Sequence, residues 1–289
     1  MFKGSIVALI TPFDTNNQID EIAFSNLIEW HIAEETSAIV VCGTTGESVT
    51  LSIEEKIRLF RLAVEVAGKR IPIIAGTGTN NTLDTIYLTT LAKQAGVEAC
   101  LVVTPYYNRP TAAGCIAHYQ AVAAIGLPVI VYHVAARTGC RMCTDTIAKI
   151  AQIPNIVALK EANCDIAAMM DIREQTKIAL LSGDDHLLLP ALSIGACGII
   201  SVTANLIPKI WAQLINNYQQ GHIQEAVESI YYYRNLCKSL FIETNPVGVK
   251  YALSLMNKCK PHVRLPLVEL QQDTKAQVSN NMRITGVIT

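Results

Sequence analysis

Lys160 is the residue from which chemistry could start. It follows the run Asn155-Ile156-Val157-Ala158-Leu159 and precedes Glu161, so an ammonium group ends what reads as a buried strand. Lysine is seldom fully buried unless it is paired or used. In the unreactive reading the side chain leaves the strand and reaches water with its tip. In the reactive reading it is a nucleophile. A low-dielectric site favours the neutral amine, and a neutral amine adds to a ketone to give a Schiff base, an electron sink for making or breaking a carbon–carbon bond. Such chemistry also needs a proton relay, which tyrosine and threonine hydroxyls can supply, and a carboxylate anchor, which an arginine fork can supply. Tyr132, Thr44, Thr45 and Arg137 are residues of these types.

Whether they meet depends on the elements that carry them. Apolar runs at 5–11, 37–43, 71–78, 99–105, 127–134, 155–162, 178–185 and 197–204 are each followed by an amphipathic helical pattern. Short continuous apolar runs suit strands buried on both faces of a parallel sheet, and Gly68, Gly96, Gly195 and Gly221 stand where helices should stop. Eight such units predict an α/β fold, a (β/α)8 TIM barrel. A doubly wound open sheet would want G-x-G-x-x-G after its first strand, and "ITPFDTN" stands there instead. From residue 222 the pattern is helical only. The expected organisation is therefore a catalytic barrel over 1–221 with a C-terminal helical extension over 222–289 packed on it.

In such a barrel the site lies at the C-terminal ends of the strands. "GTTGES" (43–48), "GTGTNNT" (76–82), "TPYYNRP" (104–110), Tyr132 with "AARTG" (135–139), Lys160, "SGDD" (182–185) and "SVTAN" (201–205) are all placed there. Strand alternation puts Ala158 and Ile156 on the face of Lys160, and Val157 and Leu159 on the other. Tyr132 shares a face with Ile130 on the neighbouring strand, so lysine and tyrosine can approach each other. Singly, each residue has a plainer explanation: the threonines as helix caps, Tyr132 as core, Arg137 as a surface charge. Their convergence at one barrel mouth favours function. The Gly-rich loops lack the spacing of a phosphate loop and suit carboxylate binding by backbone N–H groups. His133 has no second ligand at metal-binding spacing, so no metal is expected.

Composition narrows the partners. The chain has 289 residues, 51% hydrophobic and only 16% charged, with a net charge of −1. That balance, without basic runs, argues against nucleic acid. No apolar run approaches the roughly 20 residues of a membrane span, and the first residues do not read as a signal peptide, so a soluble, cytoplasmic protein is expected. Nine scattered cysteines read as free thiols. Cys140 and Cys143 have C-x-x-C spacing, but no second pair accompanies them.

The motifs "GTTGES", "AGTGTN", "TPYYNRP", "Y-x-V-x-x-RTG", "ALKEA", "LSGDD" and "GIISVTAN" run through the chain. With them the sequence resembles the dihydrodipicolinate synthase / N-acetylneuraminate lyase family of class I pyruvate aldolases over essentially its whole length. The resemblance implies condensation of pyruvate with L-aspartate-4-semialdehyde in lysine and diaminopimelate biosynthesis, with no cofactor. It implies that Lys160 forms the Schiff base and Tyr132 donates and accepts protons. Thr44 would link Tyr132 into a hydroxyl relay that Tyr107 completes from a neighbouring subunit, in a homotetramer built as a dimer of dimers. Thr45 would bind the pyruvate carboxylate and Arg137 the aldehyde's carboxylate, with Gly183 and the Ile200 carbonyl lining the site. It also implies a regulatory pocket for L-lysine from Ser48, Val49, Lys56, Asn80, Asp84 and Tyr106, in which Lys56 replaces a neutral histidine and should weaken binding of a cationic ligand. The pattern is broken at "YHVA": His133 and Ala135 stand where the family usually has Asn and Pro, which leaves the loop before Arg137 less pre-set. A sugar-acid lyase is the alternative within this chemistry, disfavoured by Arg137, and a silent barrel is the alternative outside it.

Overall fold

The eight apolar runs form eight parallel strands that close on themselves in sequence order. The computed structural model describes residues 2–289. The strands are β1 (Gly4–Ala8), β2 (Ala38–Val41), β3 (Ile73–Gly76), β4 (Ala99–Val103), β5 (Val129–His133), β6 (Ile156–Glu161), β7 (Ala179–Ser182) and β8 (Gly198–Ser201). Closure pairs Gly4 with Gly198. A Cβ on Gly198 would come within 2.2 Å of the Gly4 carbonyl oxygen, so only glycine lets β8 reach β1. Each strand is shorter than its apolar run. Periodicity reports burial, and Leu9 and Ile10 stay buried after the chain has left the ladder.

The helices are α1 (Glu21–Ala33), α2 (Ile53–Ala67), α3 (Thr82–Ala95), α4 (Ala112–Ala123), α5 (Ala135–Thr138), α6 (Thr144–Ala151), α7 (Ile166–Gln175), α8 (Leu188–Ser193), α9 (Pro208–Gln219), α10 (Ile223–Ser239), α11 (Val247–Leu255) and α12 (Gln272–Ile284). Their ends carry local signals. Ser52 and Glu55 form a reciprocal cap on α2, and Gly68 stops it in the left-handed region. Asn81, Thr111 and Asp165 accept backbone N–H groups at the starts of α3, α4 and α7. The short α5, between Tyr132 and α6, was expected as loop; four residues carry too little periodicity to read.

Two apolar layers result. Ile6, Val40, Leu101, Ile130, Ala158 and Leu181 fill the barrel interior. A larger layer lies between strands and helices, and it takes in Leu236, Val249, Leu253, Val278 and Met282 from α10, α11 and α12. The helices after Gly221 thus share the barrel's outer core. The strand alternation expected for β6 holds only at its end. Val129 pairs with Ile156 but Ile130 with Ala158, a bulge at Val157. Ile156 therefore joins the outer layer and Val157 packs on the inner one, while Ala158 and Lys160 keep the inward face.

Candidate active site

Lys160 and Tyr132 are register partners at the mouth ends of β6 and β5. Both are buried, and the Lys160 Nζ lies 4.3 Å from the centroid of the Tyr132 ring. The lysine has not reached water with its tip. Gly183 makes room for it: a Cβ there would sit 2.9 Å from the Lys160 Cε and 2.4 Å from the Ala162 Cβ. Above these residues is a cavity of about 150 Å³ whose walls include Thr44, Thr45, Tyr132, Arg137, Lys160 and Gly183. Six of the expected site residues are therefore brought together. A second, mostly apolar cleft of about 230 Å³ shares the Thr44, Tyr132 and Arg137 wall and opens toward Ser48, Val49 and Tyr106.

The "GTTGES" loop leaves β2 and turns back on itself, with Gly46 and Ser48 N–H donating to the Gly43 carbonyl and Glu47 N–H to that of Thr44. The turn's bonds thus start from residues after Thr45. Thr45 is buried, and its Oγ1 accepts a hydrogen bond from Asn245 Nδ2 at 3.0 Å. Arg137 stands exposed on α5 at the rim, its Nη2 3.5 Å from the Asn245 carbonyl oxygen.

Other residues fall elsewhere. Tyr107 is 89% exposed and points away from this chain's cavity. The Ile200 side chain is buried in the inner layer, and Val202 is among the cavity walls. Asn80 is half-buried and Asp84 exposed at the start of α3. Lys56, which could have been a solvated surface charge, is only 8% exposed, and burial holds its ammonium below the usual lysine range. His133 does not open to the mouth; it is buried behind Tyr132 and bonded to Glu161 at 2.8 Å. Cys140 is buried, with its thiol directed at the Pro110 carbonyl, whereas Cys143 is exposed beside Thr146; all nine cysteines are free. Among the described residues no three His, Cys, Asp or Glu side chains converge as a metal site, and no helix is long and apolar enough to cross a membrane.

Two wall residues were not singled out in the sequence. Asn245 reaches the cavity from the turn between α10 and α11, and its buried Oδ1 has no partner among the described residues. Asp184, in "SGDD", also lines the cavity, and burial pushes its carboxyl above the usual range. Only the doubled acid hinted at it. The second acid, Asp185, is structural: its oxygens accept from Ser201, Val202, Thr203 and the Trp211 indole, fixing the exit of β8.

Comparison with known proteins agrees with this geometry. Residues 1–285 match the Dihydrodipicolinate synthetase family. The chain is 46% identical over 291 residues to the 4-hydroxy-tetrahydrodipicolinate synthase of Thermodesulfovibrio yellowstonii, with 100% of each chain covered. Among solved structures it is similar to dihydrodipicolinate synthase from Aquifex aeolicus, with a TM-score of 0.97 and 41% identity over 99% of each chain. It is also similar to DHDPS from Cyanidioschyzon merolae with lysine bound, with a TM-score of 0.96 and 36% identity over 99% of each chain.

Proposed function

The chain belongs to the dihydrodipicolinate synthetase family, and we infer from that membership that it catalyses the 4-hydroxy-tetrahydrodipicolinate synthase reaction, joining pyruvate to L-aspartate-4-semialdehyde. The observation that carries this reading is the buried Lys160 amine against Tyr132, on the floor of a cavity rimmed by Arg137. The Lys160 amine adds to the pyruvate ketone. Loss of water gives an iminium, and loss of a methyl proton gives an enamine that attacks the aldehyde carbon. Tyr132, beside the amine, shuttles the protons, with Thr44 next in the relay. Thr45 holds the pyruvate carboxylate and Arg137 that of the semialdehyde. Asn245 fixes the Thr45 hydroxyl.

The reacting residues lie within 1–221, and 222–289 serve as the helical extension, from which Asn245 reaches the cavity. The enzyme works in the cytoplasm without a metal or cofactor, as a homotetramer of two dimers in which Tyr107 of one copy completes the relay of another. Support for the dimer is the exposure of Tyr107, Val49 and Leu83 (89%, 79% and 74%), with the Tyr107 loop tied to the turn before α3 by Asn108 Nδ2 donating to the Asn80 carbonyl. A sugar-acid lyase fits less well: a polyol needs hydroxyl partners, while Arg137 suits a short substrate with a carboxylate. Formation of product from pyruvate and aspartate semialdehyde in a coupled assay tests the function; turnover of sugar acids alone would refute it.

The cleft beside Ser48, Val49 and Tyr106 is where L-lysine would bind, with Asn80 and Asp84 as its further polar partners. Lys56 is buried close to Cys42, a wall of that cleft, and two cations about 4 Å apart repel by on the order of 4 kcal/mol at an effective dielectric of about 20. L-lysine should therefore inhibit weakly or not at all. Strong inhibition well below about 1 mM in initial-rate measurements, a binding energy beyond −4 kcal/mol, would contradict this.

A further inference from the structure

Behind the reacting pair lies a buried polar circuit that the chemistry above does not use. His133 and Glu161 follow Tyr132 and Lys160 on their strands, are register partners, and are 3% and 2% exposed. Met142 N–H donates to His133 Nε2 at 3.0 Å, so that nitrogen carries the lone pair and Nδ1 carries the hydrogen. Nδ1–H then donates to Glu161 Oε2 at 2.8 Å. The other oxygen, Oε1, accepts from Asn163 Nδ2, and Asn163 Oδ1 accepts the Ala135 N–H at 2.6 Å. Donor and acceptor match at each of these four links, and Asn163 Nδ2, which also lies 3.1 Å from His133 Nδ1, has the His133 carbonyl oxygen as a further acceptor at 3.4 Å. The circuit begins at Met142 and ends at Ala135, and the segment between them carries Arg137.

We propose that His133, Glu161 and Asn163 are positioning residues for Arg137: they brace the 135–142 segment at both ends and do the work of the proline that this chain lacks. Both departures from the family pattern are needed. A proline at 135 has no N–H to give Asn163, and the opposed ring nitrogens of His133 let one side chain join Glu161 to Met142. The reacting strands keep their register by backbone bonds of their own, Ala162 N–H to the His133 carbonyl and Gly183 N–H to that of Glu161. Bracing the arginine from behind favours binding of the second substrate's carboxylate and leaves the lysine amine itself untouched.

The proposal rests on the assignment of Arg137 to that carboxylate, and a cycle of variants tests it. Asn163→Ala leaves the Ala135 N–H without its acceptor. It should raise the KM for aspartate semialdehyde about tenfold, the effect of one lost hydrogen bond, while the KM for pyruvate and borohydride trapping of the pyruvate imine stay within about twofold. In an Ala135→Pro background there is no N–H to satisfy and φ is fixed by the ring. Position 135 is the first of α5, where proline is favoured, and Val134 lies outside the helical region that a following proline disfavours (φ −147°, ψ 77°). In that background Asn163→Ala should cost less than about twofold. Hydrogen exchange of the 134–142 peptide, faster in Asn163→Ala than in the parent, reads the brace without catalysis. Equal penalties in both backgrounds, an unchanged semialdehyde KM with unchanged exchange, or parallel loss of imine trapping would each overturn the proposal. A parent that fails to turn over the semialdehyde overturns the assigned function instead, and the exchange measurement still decides the brace.

Discussion

Lys160 is held between two neighbours of opposite character, the face of Tyr132 on one side and the bare backbone of Gly183 on the other. The ring and the close backbone keep the amine in place without an ion pair to tie it up. Arg137 is a different case, exposed at the rim and held by one long bond to the Asn245 carbonyl. Arg137→Ala should lower kcat/KM for aspartate semialdehyde by about ten- to a hundredfold, the 1.5–3 kcal/mol of a charge-assisted hydrogen bond, with pyruvate imine formation nearly unchanged. Equal loss of both, measured by steady-state kinetics and trapping, would remove Arg137 from its role. Lys160, Tyr132 and Arg137 were legible in the sequence because each ends a strand or starts the loop after it, where alternation and position say enough. Asn245 was not, because its meaning lies in a hydrogen bond to a threonine 200 residues away.

At the scale of elements, the C-terminal extension reaches into the catalytic loop. Lys250 of α11 and Glu47 of "GTTGES" form an ion pair at 2.5 Å with both side chains fully buried. The second Glu47 oxygen accepts the Arg264 N–H at 3.0 Å, and the Arg264 guanidinium grips Glu55 of α2 with two bonds. Lys250 and Arg264 both also lie against the Phe13 ring. Glu47 itself is in the left-handed region at φ 54°, a conformation that costs a non-glycine residue of order 1 kcal/mol and persists when its surroundings fix it. Removing one partner of such a pair strands the other's charge, so Lys250→Met should destabilise the fold by about 3–5 kcal/mol. The urea midpoint measures this, and a loss under 1 kcal/mol would contradict a paired, dry clamp. None of this was legible. Glu47 reads as part of a motif and Lys250 as one polar residue in an apolar helix, and only the fold puts them together. The bulge at Val157 was equally hidden, since alternation carries no sign of an inserted residue.

The whole molecule carries a pH dependence in two buried histidines. His31 bonds Thr36 through Nδ1, and its Nε2 has no partner among the described residues; burial above all, with Lys258 second, holds its pKa down to about 3. Burial holds His118 down to about 4. The unfolded chain protonates both near pH 6.5, so between about pH 6.5 and 4 it binds more protons than the fold. Stability is then complete above pH 6.5 and falls by up to about 1.4 kcal/mol per pH unit per histidine below it. Denaturant midpoints should fall across that window, less steeply in His31→Phe; an identical slope in parent and variant would refute the assignment. The barrel itself was readable from eight repeated units, whereas its closure through Gly4 and Gly198 became visible only in the structure. All of the chemistry depends on one bond. Incubation with pyruvate and borohydride, followed by peptide mass spectrometry, should add one reduced pyruvyl group to the peptide containing Lys160 and none to Lys160→Ala. An unmodified Lys160, or modification at another lysine, would contradict the account.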